Sequence, residues 1–271
     1  MSIENTTYPT LINAQPASAA DLAPLAFSGF AHFTAMQVRD RKVKGADLHL
    51  ARLRNASIKL FGNALSDEKV LQDIRQAIAA GPADMSLTAT VYSPDGEFTA
   101  RTGGTEPCIL IRTGPPGDGP AGPVRLAVVE HERHLAEIKH VGEGAKTYYL
   151  HRAREQGYDD AAFVDRHGRL GEATIWNLVF WDGHAVVWPR ADILTGTTMG
   201  IVQRQLQRLD VPQQHREIKP AELAEYSGAA IMNSWTPGIA VKAIGPHAFP
   251  EAPSLMALLR KAYDAETAAA I

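Results

Sequence analysis

From Ile138 to Met199 the chain runs through one lysine after a strand-like segment, a helix, a strand hairpin carrying a lone acid, and a helix entrance of glycine and threonine. The stretch opens IKHVGEGAKTYYL, continues GYDDAAFVDRHGRLGEATIWNLVFW and closes WPRADILTGTTM. Alternation between helical and strand periods over so short a span requires a mixed α/β fold. It also spaces three kinds of chemistry along the chain. Lys139 can form an imine, and a desolvated lysine beside other cationic groups loses its proton near neutral pH. Glu172 can face a basic ring nitrogen. Gly196, Thr197 and Thr198 bring unsatisfied backbone N–H groups and hydroxyls to the start of a helix, where aligned peptide dipoles favour an anion.

An aldehyde with a phosphate tail and a basic ring satisfies all three, and pyridoxal phosphate has those features. The residues that carry the comparison are Ile138-Lys139-His140, Gly157-Tyr158-Asp159-Asp160, Gly168-Arg169-Leu170-Gly171-Glu172 with Asn177-Leu178, and Leu194-Thr195-Gly196-Thr197-Thr198. In order and spacing the stretch resembles the fold type IV, or class IV, pyridoxal phosphate enzymes. That group includes branched-chain and D-amino acid aminotransferases and 4-amino-4-deoxychorismate lyase. The resemblance runs from about Phe27 to Gly245. It implies a fold type IV enzyme with pyridoxal 5'-phosphate as cofactor, a homodimer, and Lys139 and Glu172 as the catalytic pair. It falls on Lys139 rather than on Lys146, the other candidate amine, which lies in a helix-forming segment.

Further residues take roles from the same resemblance. HLARL is similar to the family's His-x-x-Arg-Leu segment, so Arg52 is expected to grip the cofactor phosphate with its guanidinium fork. Asn233 and Ser234 stand where a strand enters a turn whose N–H groups can bind an anion, and the family's equivalent turn completes the phosphate cup. Lys139, Glu172, Arg52, Thr197, Thr198, Asn233 and Ser234 form the expected cofactor set. His32, Thr34 and Trp235 are the candidates for substrate contacts, and no metal is expected from the spacing of His131, His134 and His140.

Three positions depart from the family pattern. Many members have a tyrosine five residues after the lysine, contacting the ring hydroxyl; here that residue is Gly144, with Tyr148 and Tyr149 as possible substitutes. Met199 stands where an arginine usually follows the Gly-x-Thr turn. The lyases carry Phe-Thr-Thr in the first lobe, with the second threonine assisting elimination, whereas this chain has Phe33-Thr34-Ala35. Ala35 favours an aminotransferase moving an amino group from an amino acid or amine donor to a keto acceptor. The Ile-Lys-His opening and the missing tyrosine look more like the alternative, a lyase releasing pyruvate from an aminodeoxychorismate-type substrate.

The rest of the chain sets bounds. At 271 residues, 45% hydrophobic and 21% charged, it can bury a sizeable core as one large domain or two moderate ones. A net charge of -3 gives no reason to expect nucleic acid or a membrane as partner. No apolar run approaches the roughly 20 residues a membrane span needs, and the N-terminus has no charged leader before an apolar core. With Cys108 the only cysteine, an internal disulfide is excluded. A cytoplasmic enzyme acting on small molecules is the expectation.

Residues 1–26 read as an extended arm with little secondary structure. Residues 27–120 read as a small N-terminal α/β lobe of strands HFTAMQV, MSLTATVYS and EPCILIRT with helices over Asp47–Phe61 and Asp67–Ala80. In the first helix Leu48, Leu53, Ile58 and Leu60 are expected in the core, with His49 a buried structural histidine. RTGPPGDGPAGPV concentrates glycine and proline and marks a linker near residue 120. Residues 121–271 form the larger C-terminal lobe, which is expected to carry the cofactor lysine.

Overall fold

The alternating segments HFTAMQV and MSLTATVY each expose one face of a period-two chain to the core, and they pair as neighbouring antiparallel strands. The structure is a computed structural model that describes residues 7–95 and 106–271. Its chain forms two compact units, each drawn from more than one stretch of sequence.

The first unit takes the residues up to Gly117 together with Ile138–Glu143 and Ala268–Ile271. Its strands are β1 (Thr10–Ile12), β2 (Gln15–Pro16), β3 (Ala31–Val38), β4 (Lys42–Lys44), β5 (Met85–Tyr92) and β6 (Cys108–Gly114). Its helices are α1 (Ala19–Leu22), α2 (Ala46–Phe61) and α3 (Asp67–Ala80). Five strands make one antiparallel sheet in the order β2-β1-β6-β5-β3, while β4 pairs with the C-terminal strand Ala268–Ala270. Gly62, at φ +76°, ends α2 in the left-handed conformation that a side chain would strain. Ser66 caps α3 by accepting from the Lys69 N–H, with Asp67 and Glu68 in the first turn against the positive end of the dipole.

The expected unstructured arm differs from this. Its first six residues lie outside those described, but β1 pairs with β6, Thr10 opposite Arg112, because an edge strand offers a row of backbone donors and acceptors that the arm satisfies. α1 begins at a reciprocal cap between Ser18 and Asp21. In α2 the buried stripe is His49, Leu53, Ala56 and Ser57. Ile58, expected in the core, lies one step off that stripe and is 54% exposed.

On β3 the face bearing His32, Thr34, Met36 and Val38 is buried, and Phe33, Ala35 and Gln37 occupy the other. His32 Nε2 and Ser57 Oγ share a 2.8 Å hydrogen bond, and Thr34 Oγ1 and His49 Nδ1 share one of 2.6 Å. Burial pulls His32 down to about 4 from 6.5. Burial, and then the Arg52 charge, pull His49 down to about 3, against an opposing pull from Asp47. Both rings are therefore neutral in the fold and charged in the unfolded chain below pH 6.5. Between that pH and the lowered values the unfolded state binds the extra protons. Stability should fall on acidification by about 1.4 kcal/mol per pH unit for each histidine. Urea unfolding from neutral pH to pH 4 should show the sum of the two, and His49→Asn should halve that slope, leaving the His32 share.

The second unit comprises Asp118–Glu137 and Gly144–Thr267. Its strands are β7 (Val124–Glu130), β8 (Asp160–Val164), β9 (Leu170–Ala173), β10 (Asn177–Trp181), β11 (Val186–Pro189), β12 (Gln213–Arg216), β13 (Gly228–Asn233), β14 (Thr236–Ile244) and β15 (His247–Ala248). Its helices are α4 (Gly144–Glu155), α5 (Thr197–Arg208) and α6 (Pro253–Asp264). The strands run β12-β11-β10-β13-β14-β7-β8-β9, and β9 also pairs with β10, so six of them close into a ring. The closing pair is Glu172 opposite Asn177. Leu126, Leu170, Leu178 and Phe180 are fully buried in the apolar cluster of this sheet. α5 and α6 pack in a second cluster around Trp188, Val202 and Leu259. No helix among the described residues is long and apolar enough to cross a membrane.

Along the chain the first unit gives way to the second between Gly117 and Asp118. The expectation that the C-terminal lobe carries the lysine is corrected, since Lys139 groups with the first unit. Its backbone is the reason: the Lys139 carbonyl accepts from Phe33 N at 2.8 Å, and Val141 N donates to the Ala31 carbonyl at 2.8 Å.

Candidate active site

Two segments of the first unit position its functional side chains. Backbone pairing with β3 holds the 138–143 segment, including a bridge between His32 and His140. Lys139 is half-buried with Nζ 4.9 Å from the centre of the Phe33 ring, a cation over an aromatic face. Phe33 shares its face of the sheet with Ala35, and their partners across β5 are Thr90 and Thr88. Thr88 in turn lies opposite Arg112 on β6. Arg52 sits on α2 one turn beyond His49, close enough to disfavour its protonation.

His32 and Thr34 do not fit the substrate role expected of them. Alternation along β3 turns both onto α2, where Ser57 bonds His32 Nε2 and His49 bonds Thr34 Oγ1, while His32 Nδ1 is buried without a hydrogen-bond partner among the described residues. Sequence periodicity shows that they share a face and leaves open which face is covered.

In the second unit Glu172 is the last residue but one of β9 and is 6% exposed. Arg133 Nη1, itself buried, donates to Glu172 Oε1 at 3.2 Å and to the Ala136 carbonyl at 2.9 Å. Leu194 N approaches Glu172 Oε2 at 3.4 Å. Burial pushes the Glu172 carboxyl above its ordinary range, opposed by the Arg133 and Lys146 charges. Lys146, the alternative imine lysine, is thus a buried cation on α4 within the field of Glu172. Arg133 escaped the sequence reading because nothing local in HERHLAEIK singles out the arginine. Its meaning comes from a partner on another strand.

The pair gives a test. Arg133→Met leaves a buried carboxylate without its guanidinium, which should cost about 3–5 kcal/mol at neutral pH. A raised carboxyl destabilises the fold above its folded value and not below the unfolded one. The deficit in urea unfolding should therefore shrink as pH falls toward 4.5.

Beside this carboxyl lies the entrance to α5. Asn177 Nδ2 donates to the Leu194 carbonyl at 2.7 Å, which ties the turn to β10. A Cβ at Gly196 would come within 2.0 Å of Asn177 Oδ1, so only glycine fits as the N-cap. Gly196 brings no capping side chain, and Thr197 and Thr198 are both buried in the first turn. The N–H groups there belong to the orphan donors of a helix start. Asn233 and Ser234 occupy the β13–β14 turn, half-buried; Asn233 Oδ1 accepts from Trp235 N at 2.8 Å and Nδ2 reaches the Ile175 carbonyl at 3.5 Å. Trp235 is 42% exposed and meets Trp176 edge-on at 5.9 Å. Glu172, Thr197 and Thr198 thus meet around the 194–196 turn, and Asn233 abuts the turn after Glu172.

The two tyrosines offered as substitutes at the Gly144 position lie on α4. Tyr148 is 59% exposed, and Tyr149 packs against His131 and Phe163 at 5.1 and 5.9 Å. Met199 joins the buried cluster of α5 and α6.

A buried acid next to an uncapped, threonine-rich helix entrance fits a ligand with a basic ring at one end and an anionic tail at the other. The amino-transferase class IV family model matches residues 31–244, and the chain belongs to that family.

In structure the chain is similar to the branched-chain aminotransferase of the archaeon Thermoproteus uzoniensis, with TM-score 0.82 and 18% identity over 93% of this chain and 92% of that one. It is similar to the 4-amino-4-deoxychorismate lyase of Pseudomonas aeruginosa, with TM-score 0.80 and 21% identity over 94% and 98% of the two chains. The branched-chain amino acid aminotransferase of Escherichia coli gives TM-score 0.82 and 15% identity over 94% and 92%. At such identities these likenesses establish the fold, which is that of the fold type IV enzymes. A search of curated proteins found no sequence match.

Proposed function

We propose that the chain is a pyridoxal 5'-phosphate-dependent aminotransferase that moves an amino group between an amino acid or amine donor and a keto acceptor. A branched-chain aminotransferase of the same fold has been solved with pyridoxamine 5'-phosphate, which supports the cofactor. The cofactor supplies an aldehyde that condenses with amines and a ring that withdraws electrons. Lys139 provides the holding amine and, once released, takes and returns the proton at the substrate's α-carbon. Glu172 keeps a proton on the ring nitrogen by opposite charge, and Arg133 supports its ionised form. Arg52, Thr197, Thr198, Asn233 and Ser234 fix the phosphate, which is positioning rather than chemistry.

The observation that carries aminotransferase over lyase is the β3 face beside Lys139. Phe33 and Ala35 stand on it, and the hydroxyl of Thr34 is turned away and bonded to His49. The similarity to aminodeoxychorismate lyases keeps the second reading in view. With pyridoxal phosphate bound, a panel of amino donors with a keto acceptor should yield amino-group transfer. Pyruvate released from aminodeoxychorismate without an acceptor would establish the lyase instead. Phe30, Ile58 and Val141 expose apolar surface, which supports the homodimer; sedimentation tests it.

A further inference from the structure

Asp160 begins β8 in the run DDAAFVD, an acid at the head of a strand whose five residues are all buried. It is 7% exposed, and its carboxylate accepts four hydrogen bonds. Oδ1 takes Ala161 N at 2.7 Å, Thr174 N at 3.3 Å and Thr174 Oγ1 at 2.7 Å. Oδ2 takes Trp176 Nε1 at 2.9 Å. Three of the four donors belong to the turn Ala173–Trp176, whose own closure is the Ala173 N to Trp176 carbonyl bond at 2.9 Å.

That turn stands directly between Glu172 and Asn177, the pair that closes the ring of strands. A buried carboxylate costs much to desolvate and is retained where hydrogen bonds offset that cost. Here each bond falls on a residue of the turn or on Asp160's own neighbour, none on a distant surface group. The clamp also holds the Trp176 ring, which packs edge-on against the exposed Trp235. Ile175, 40% exposed, caps the same turn, and its carbonyl meets Asn233 Nδ2.

We propose that Asp160 is a positioning residue: by pinning the 173–176 turn it fixes Glu172 and Asn177 on one side and the Trp176–Trp235 wall on the other before any ligand arrives. This rests on the cofactor reading above for its catalytic consequence, and on the four bonds alone for its structural one. Thr174→Val removes the hydroxyl donor at nearly constant volume, Thr174→Ser restores it, and Asp160→Asn sets an amide N–H against the Trp176 donor.

In Thr174→Val and Asp160→Asn, pyridoxal phosphate affinity should fall about tenfold or more, as expected when a group is displaced by a fraction of an ångström. The pH at which the bound cofactor's absorbance changes should shift as well, because Glu172 no longer meets the ring squarely, and Thr174→Ser should recover both. A general loss of stability would lower the melting temperature without moving that pH. Unchanged affinity and unchanged pH dependence in Thr174→Val would overturn the assignment, and this pair decides the matter even where Asp160→Asn does not fold.

Should the unsubstituted protein fail to take up pyridoxal phosphate, the cofactor reading falls and the tryptophan near-ultraviolet dichroism of the cofactor-free variants decides the clamp. A signal weakened in Thr174→Val and recovered in Thr174→Ser supports the pinned turn; an identical signal in all three sinks it.

Discussion

Lys139→Ala should abolish the covalent hold on the cofactor and lower turnover by about 10⁴-fold, since one group both tethers the cofactor and moves the proton. The fold should survive, because the bond that places this segment uses the Lys139 carbonyl and not its side chain. Absorbance after dialysis separates the two effects. The variant should lose its visible band while its melting curve without cofactor matches the parent. Lys146→Ala is the control: that amine is buried on α4 beside the Glu172 charge, and its loss should leave the covalent band in place. A band that persists in Lys139→Ala and disappears in Lys146→Ala would reverse the assignment.

Glu172→Gln should lower kcat about 30-fold, the loss expected when a charge-assisted bond of roughly 3 kcal/mol is reduced to a neutral one of roughly 1 kcal/mol. The same change leaves the Arg133 guanidinium buried without its counter-charge, so stability also falls. Glu172→Gln with Arg133→Met removes both charges and should regain stability without regaining rate. Single-turnover rates beside urea unfolding of the three variants make the comparison. Equal recovery of rate and stability in the double variant would assign Glu172 a structural role only.

Several features were open to reading from residue types in their order. The helix over Asp47–Phe61 with Gly62 beyond it, the helix after Ser66, and the strands HFTAMQV and MSLTATVY follow from caps, a terminal glycine and period-two patterning. Those signals act over a few residues. Glycine, threonine and threonine at the α5 entrance belong to the same class, because the donors they offer come from the helix start itself.

Other features depend on partners far along the chain. Nothing in HERHLAEIK sets Arg133 apart until β9 brings a carboxylate to it. Asp160 looks like a surface acid until the 173–176 turn folds back with three donors. The surroundings of His32 and Thr34 belong here too, because alternation is symmetric: it assigns side chains to two faces without saying which face α2 covers.

By its sequence alone the chain determined the kinds of groups it carries and their order: a lysine, an acid, an uncapped threonine entrance, and the local helices and strands that bear them. Tertiary structure decided their surroundings. It tied Lys139 to β3 through backbone bonds, set Glu172 against Arg133, and locked the turn beside it with Asp160. Capping and periodicity act through neighbours within a turn or two, whereas burial and ion pairing belong to whichever distant segments the fold makes adjacent.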